Sequence, residues 1–169
     1  MCNYFAVSTL RELSSLELHQ LYKLRVDVFV HEQGTAYAEI DNVDALDSTL
    51  HVLAWTQDSA TSTPQLVGCA RVYPADDGTI RLGRLAVTKQ HRGTGLGTQI
   101  LLQALRLIQE RFAAGATIHA QAHLAEFYAS FGFTAAGEQF EDTGISHLPM
   151  QISAADITEL LAGRQMLAA

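Results

Sequence analysis

The sequence predicts a mixed α/β fold carried by one domain over residues 1–169, and three observations carry that prediction. Between residues 50 and 87, three β-favouring segments follow one another with only turn formers between them, the pattern of antiparallel hairpins. Two stretches, Leu18 to Phe29 and Leu101 to Phe112, place apolar residues at helical spacing. A strand ending in Leu85-Ala86-Val87 then runs through a glycine-dense turn directly into the second of those helices.

In chain order, the run Tyr4-Phe5-Ala6-Val7 opens a first strand reaching to about Leu10. Ser14 and Ser15 are caps for a helix whose apolar face is Leu18, Leu21, Tyr22 and Phe29. The acidic stretch from Gly34 to Thr49 holds no period and reads as a long loop or a broken short helix. Strands over Leu50–Gln57, Leu66–Tyr73 and Thr79–Val87 are separated by Asp58–Pro64 and Pro74–Gly78. A helix from about Gly95 to Phe112 buries Leu101, Ala104, Leu105, Ile108 and Phe112, and Gly115 is expected to end it. After a short strand near Thr117–Gln121, Leu124, Phe127, Tyr128 and Phe131 form a brief amphipathic helix closed by Gly132. Strands flank the turn at Thr143-Gly144, and Ser153, with Asp156 three residues on, caps a last helix reaching about Leu167.

Composition narrows the function. Eleven basic against eighteen acidic side chains give a net charge of −7 with no cluster of Lys or Arg, which argues against nucleic acid as a partner. Acidity helps to attract a cationic substrate such as an amine, or serves solubility alone. Cys2 and Cys69 do not make a disulfide framework, so a reducing cytoplasm is the expected compartment. No stretch is apolar enough to span a bilayer, and the N-terminus lacks the pattern of an export signal, so no membrane role is expected.

The most informative segment is Gln90-His91-Arg92-Gly93-Thr94-Gly95-Leu96-Gly97. A pyrophosphate needs several N–H donors converging at a helix N-terminus, and glycines allow both the backbone angles and the close approach. The spacing is neither that of a P-loop, since Gly-Lys-Ser/Thr is missing, nor that of a dinucleotide fingerprint. What stands is Arg-x-x-Gly-x-Gly, with Arg92, Gly95 and Gly97, after a strand.

In this segment the sequence resembles the GNAT (GCN5-related N-acetyltransferase) superfamily, whose acyl-CoA signature is Gln/Arg-x-x-Gly-x-Gly/Ala between a strand and a helix. Further patterns resemble its ElaA-like branch: Leu21-Tyr22-Lys23-Leu24-Arg25, Phe29-Val30-His31-Glu32-Gln33 with Asp41 and Asp44, Ala120 to Leu124 leading to Phe127 to Phe133, and Gly144 to Met150. One departure is Thr35-Ala36-Tyr37, where members often carry Cys-Pro-Tyr. The resemblance implies a bent, mainly antiparallel sheet of six to seven strands flanked by about four helices, with a parallel pair splayed near Leu85–Val87 and Thr117–Gln121. It implies that Leu85, Ala86 and Val87 line the pantetheine arm of acetyl-CoA and that the amides of Arg92, Gly93, Thr94, Gly95, Leu96 and Gly97 hold its pyrophosphate. The implied reaction is acetyl transfer from acetyl-CoA to a primary amine, small-molecule or peptide, by direct attack in a ternary complex, without a metal; a homodimer is common in this fold. The alternatives are another acyl donor, as in signal-lactone synthases, or a non-catalytic acyl-CoA sensor.

Acyl transfer needs a neutral amine, a polarised carbonyl and a proton for the departing thiolate. By the resemblance Tyr128 supplies that proton; otherwise it is one more aromatic on the stripe of Leu124, Phe127 and Phe131. The N–H of Val87 is the candidate oxyanion donor. Candidate bases are Glu32, His31, His123 and His147, with Asp41 or Asp44 acting through water. Arg25 projects into the apolar stripe of the first helix and needs a carboxylate or a set of carbonyls, with Glu32 as the expected carboxylate partner. Arg25, Glu32, Asp41 and His123 are the expected lining of the acceptor pocket. His119 and His123 stand at i, i+4, yet one falls in a strand and the other beyond it, which argues against a metal pair.

Overall fold

The structure is a computed structural model describing residues 2–167. The chain divides into two compact units, one formed by the residues up to Tyr73 with Arg84–Ala104, the other by Pro74–Gly83 with the residues from Leu105 onward.

In the first unit, β1 (Cys2–Ser8) runs antiparallel to β2 (Leu50–Gln57), from Cys2 opposite Gln57 to Ser8 opposite His51. β2 pairs antiparallel with β3 (Gln65–Pro74) across an irregularity at Ala54 and Trp55. Helix α1 (Ser15–Val26) starts on a reciprocal cap, Glu17 N–H donating to Ser14 Oγ at 3.3 Å and Ser14 N–H to Glu17 Oε2 at 2.8 Å. The helix then widens to a π turn over Asp27–Glu32. The buried set, Leu21, Leu24, Arg25 and Val28, stands at i, i+3, i+4 and i+7, while Leu18, Tyr22 and Phe29 of the expected stripe flank it half-buried. The acidic segment after it holds one 3₁₀ turn, Asn42–Ala45, capped by Asp41. Leu21, Leu24, Val28, Leu53, Trp55, Leu66, Cys69 and Ala86 form a hydrophobic cluster in this unit.

Strand β4 (Ile80–Val87) and helix α2 (Leu96–Phe112) each begin in one unit and end in the other. Gly68 brings the start of α2 down on β3, because a Cβ there would stand 2.4 Å from Ile100 Cδ1 and 3.1 Å from Ala86 O. Arg84, at φ 51, breaks the alternation of β4, whose Ile80, Leu82 and Ala86 are buried.

In the second unit, the opening of β4 pairs parallel with β5 (Ala116–Gln121), Arg81 opposite Thr117. β8 (Ile145–Ile152) runs antiparallel to β5, from Ala116 opposite Ile152 to Gln121 opposite His147, and also pairs with β6 (Thr134–Ala135) and β7 (Phe140–Asp142). Positive φ at both Thr143 (52) and Gly144 (82) makes the β7–β8 connection a type I′ hairpin. Helices α3 (Ala125–Ala129) and α4 (Ala154–Leu167) complete the unit. Gly115 does not terminate α2; Ala113, at φ 48, does so, while a Cβ on Gly115 would meet Ile152 O at 2.4 Å.

Among the described residues the strand order is β1-β2-β3-β4-β5-β8-β6, with β7 on β8, giving eight strands, mainly antiparallel, and one parallel pair, β4 with β5. The eighth strand escaped the sequence because two residues, Thr134 and Ala135, are too few to show an alternation.

Candidate active site

The turn between β4 and α2 has the form a phosphate site needs. Gly93 and Gly95 adopt φ of +75 and +83, which L side chains resist, and nothing lies within 4 Å of a Cβ built on either. Gly95 O accepts from Gln99 N–H at 3.1 Å, so α2 begins directly after it and the N–H groups of its first turn lack intrahelical acceptors. Thr94 Oγ1 donates to His91 O at 2.7 Å, and His91 Nδ1 lies 2.8 Å from Thr88 Oγ1, bracing the turn from within. The amide of Arg92, one of the expected donors, bonds Lys89 O at 3.4 Å. Of the strand leading in, Leu85 and Val87 are partly exposed and Ala86 is buried.

The Arg92 side chain reaches back instead. Its Nε donates to Val87 O at 2.9 Å, its Nη2 to Glu32 Oε2 at 3.0 Å, and its Nη1 to Glu32 Oε1. These hydrogen bonds, then the Arg92 and Lys89 charges, outweigh desolvation and lower the pKa of Glu32. Glu32 is therefore Arg92's partner and not Arg25's. The physical reason is the π turn, which carries Glu32 to the exposed side while Arg25 stays on the buried face of α1.

Arg25 is met from the acidic segment. It is 1% exposed; its Nε donates to Glu39 Oε1 at 2.8 Å, and Nη1 and Nη2 to Asp44 Oδ1 and Oδ2 at 2.6 and 3.0 Å. Arg71 joins through Asp44 Oδ1 at 2.9 Å and Asp41 Oδ1 at 2.7 Å, and Arg84 through Glu39 O at 3.0 Å. Arg84 Nε also stands 2.8 Å from Glu39 Oε1, without the alignment of a hydrogen bond. Burial alone would raise the Asp44 carboxyl, but Arg25 and then Arg71 hold it at about 2. His51 Nε2 is 3.3 Å from Asp44 O, and burial lowers its pKa. Arg25 is thus out of reach of a substrate in solution, and Asp41 is turned toward arginines. Sequence reading missed Arg71 and Glu39. The available signal was a cation in the middle of the apolar run Leu66-Val67-Gly68-Cys69-Ala70-Arg71-Val72, which requires acidic partners from elsewhere in the chain.

Tyr128, in α3 of the other unit, is 8% exposed, lies edge-on to Phe127 and Phe133 at 5.1 and 5.7 Å, and burial pushes its hydroxyl up to about 12. It therefore holds its proton at neutral pH, the form a proton donor requires. His123 is exposed in the short turn before α3. In the same unit, Arg81 Nη1 lies 2.6 Å from His119 Nε2, and Phe140 stands between His119, edge-on at 5.1 Å, and His147, stacked at 5.6 Å and 20°. Among the described residues no three His, Cys, Asp or Glu side chains gather as a metal site would need, and no helix is long and apolar enough to cross a membrane.

A sheet with one parallel pair, a glycine turn opening onto a helix N-terminus and a strand edge beside it define the class of acyl-CoA acyltransferase folds. The family model for an acetyltransferase (GNAT) domain matches residues 19–154, and the chain belongs to that family. It is similar to Protein ElaA of Escherichia coli, 36% identical over 142 residues, covering 82% of this chain and 89% of ElaA. The crystal structure of E. coli ElaA superposes with a TM-score of 0.80 at 33% identity, covering 89% of this chain and 99% of that one. An acyl-CoA N-acyltransferase from Pseudomonas aeruginosa gives a TM-score of 0.81 at 31% identity, again covering 89% and 99%. An aminoglycoside 6'-N-acetyltransferase complexed with coenzyme A shares the fold alone, at a TM-score of 0.67, 16% identity and coverage of 88% and 97%.

Proposed function

We propose that the protein transfers an acetyl group from acetyl-CoA to a primary amine by direct attack in a ternary complex. The observation that carries this reading is the Gly93–Gly97 turn, with open space over two positive-φ glycines and the amides of a long helix's first turn directly after them. In this reading those amides hold the pyrophosphate, and Leu85 and Val87 accompany the pantetheine arm in strand fashion. The Val87 N–H steadies the oxygen that gains charge as the amine attacks, and Tyr128 hands its proton to the departing thiolate. The aminoglycoside enzyme, similar in fold, is seen with coenzyme A, which supports the same ligand here.

Calorimetry with coenzyme A, followed by an amine screen read by thiol release, tests the proposal. The expected result is saturable binding that Gly95→Trp abolishes, because the indole fills the open space and the φ of +83 is strained for any side chain. An absence of binding at millimolar coenzyme A, or full retention by Gly95→Trp, would overturn it.

A further inference from the structure

We propose that His147 is the catalytic base that takes the proton from the acceptor amine, an inference that rests on the acetyl-transfer reading above. A base must offer a bare nitrogen. His147 Nδ1 lies 2.9 Å from the carbonyl oxygen of Ile145, which only accepts, so Nδ1 carries the hydrogen and Nε2 keeps the lone pair. His119 is the opposite case. Its Nε2 faces Arg81 Nη1 at 2.6 Å, and a guanidinium only donates, so that lone pair is already used. Phe140 stacks on His147 and meets His119 edge-on, which holds both imidazoles in place.

Position supports the same residue. His147 is partly exposed and pairs with Gln121, the last residue of β5, after which the chain turns through 122–124 into α3 and Tyr128. The proton acceptor and the proton donor thus belong to one end of one unit. The carboxylate rivals are otherwise engaged. Glu32 is bidentate on Arg92, Asp41 is bonded to Arg71, and Asp44 is fully buried between two arginines. Around His147 the titratable and charged groups are His119 on β5 with Arg81 on β4 behind it, Glu141 and Asp142 on β7, and His123 in the turn after β5.

The ammonium gives one proton to Nε2, and the freed nitrogen lone pair forms the C–N bond as the C–S bond breaks. Tyr128 gives its proton to the thiolate sulfur and takes one from the nitrogen, leaving amide, free thiol and an imidazolium that releases its proton to water.

The test is the pH profile of kcat/KM, by thiol release, for the wild type, His147→Asn and His119→Gln. Asparagine is chosen because its side-chain N–H can keep the bond to Ile145 O while removing Nε2. The expected result for His147→Asn is a loss of roughly 100-fold in kcat/KM, disappearance of the acidic limb, partial rescue by added imidazole and unchanged coenzyme A binding. His119→Gln should keep the limb. A wild-type profile in His147→Asn overturns the proposal and leaves the acetyl-transfer reading standing; absence of turnover by the wild type with every amine overturns both. Long-range ¹H–¹⁵N spectra of the wild type give a check independent of how the variants fold. An Nε2–H tautomer at His147 would sink the idea, and the Nδ1–H tautomer is the expected one.

Discussion

Two sets of arginine–carboxylate pairs in the same unit use identical chemistry to different ends. Arg25, Arg71 and Arg84 grip Glu39, Asp41 and Asp44 in a network whose centre, Arg25 with Asp44, is closed to water. Arg92 grips Glu32 bidentately, but their side chains are 40% and 38% exposed. At the centre of the first set the charges have already lost their hydration, so a partner lost there leaves a buried ion uncompensated. In the second, water and salt stand ready to replace either partner. The buried set therefore fixes where the acidic segment lies against α1 and β3, and the exposed pair, beside the glycine turn, is the one that can exchange partners.

The largest expected effect follows from removing a partner at the centre. Arg25→Leu strands Asp44 and Glu39 beneath the segment they anchor, and should cost about 3–5 kcal/mol in urea unfolding. Its double with Asp44→Leu should recover part of that loss, since the uncompensated charge is gone. Were Arg25→Leu to cost no more than a surface substitution, the distinction drawn between the two sets would fail.

Acid unfolding sharpens the same distinction. Asp44 has a folded pKa of about 2 against an ordinary 3.8, so its contribution is complete above pH 3.8 and disappears as pH falls through 2. That difference corresponds to about 2 kcal/mol. Glu32 is lowered in the same direction, yet its exposure leaves little of the shift as stability. Stability measured from pH 5 to 2 should decline alike in the wild type and Glu32→Gln, and should lose most of that slope in Asp44→Asn.

Legibility divides along the same line. Strands β2 to β5, helix α2 and the glycine turn could be read because each is set by local chemistry, namely apolar period, turn formers and helix start. The buried network could not. Arg25 announced a need for a carboxylate, but its partners stand 14 and 19 residues away on a segment without period, whereas Glu32 lay nearer in sequence. A π turn, which leaves no period of its own, decided between them. The tautomers of His119 and His147 were equally hidden, since each depends on one atom brought in by strand pairing or a local bend.

The smallest effect tests the exchangeable pair directly. Glu32→Gln removes the charge that competes with an incoming phosphate for Arg92, while the Nε bond to Val87 O still holds the guanidinium near the turn. Stability should change by less than about 0.5 kcal/mol. Coenzyme A should bind a few-fold more tightly at low salt, and the gain should shrink as salt screens both states. Weaker binding in Glu32→Gln would assign the opposite task to the pair: Glu32 would then be holding Arg92 in the conformation the ligand needs, and the exposed pair would be as structural as the buried one.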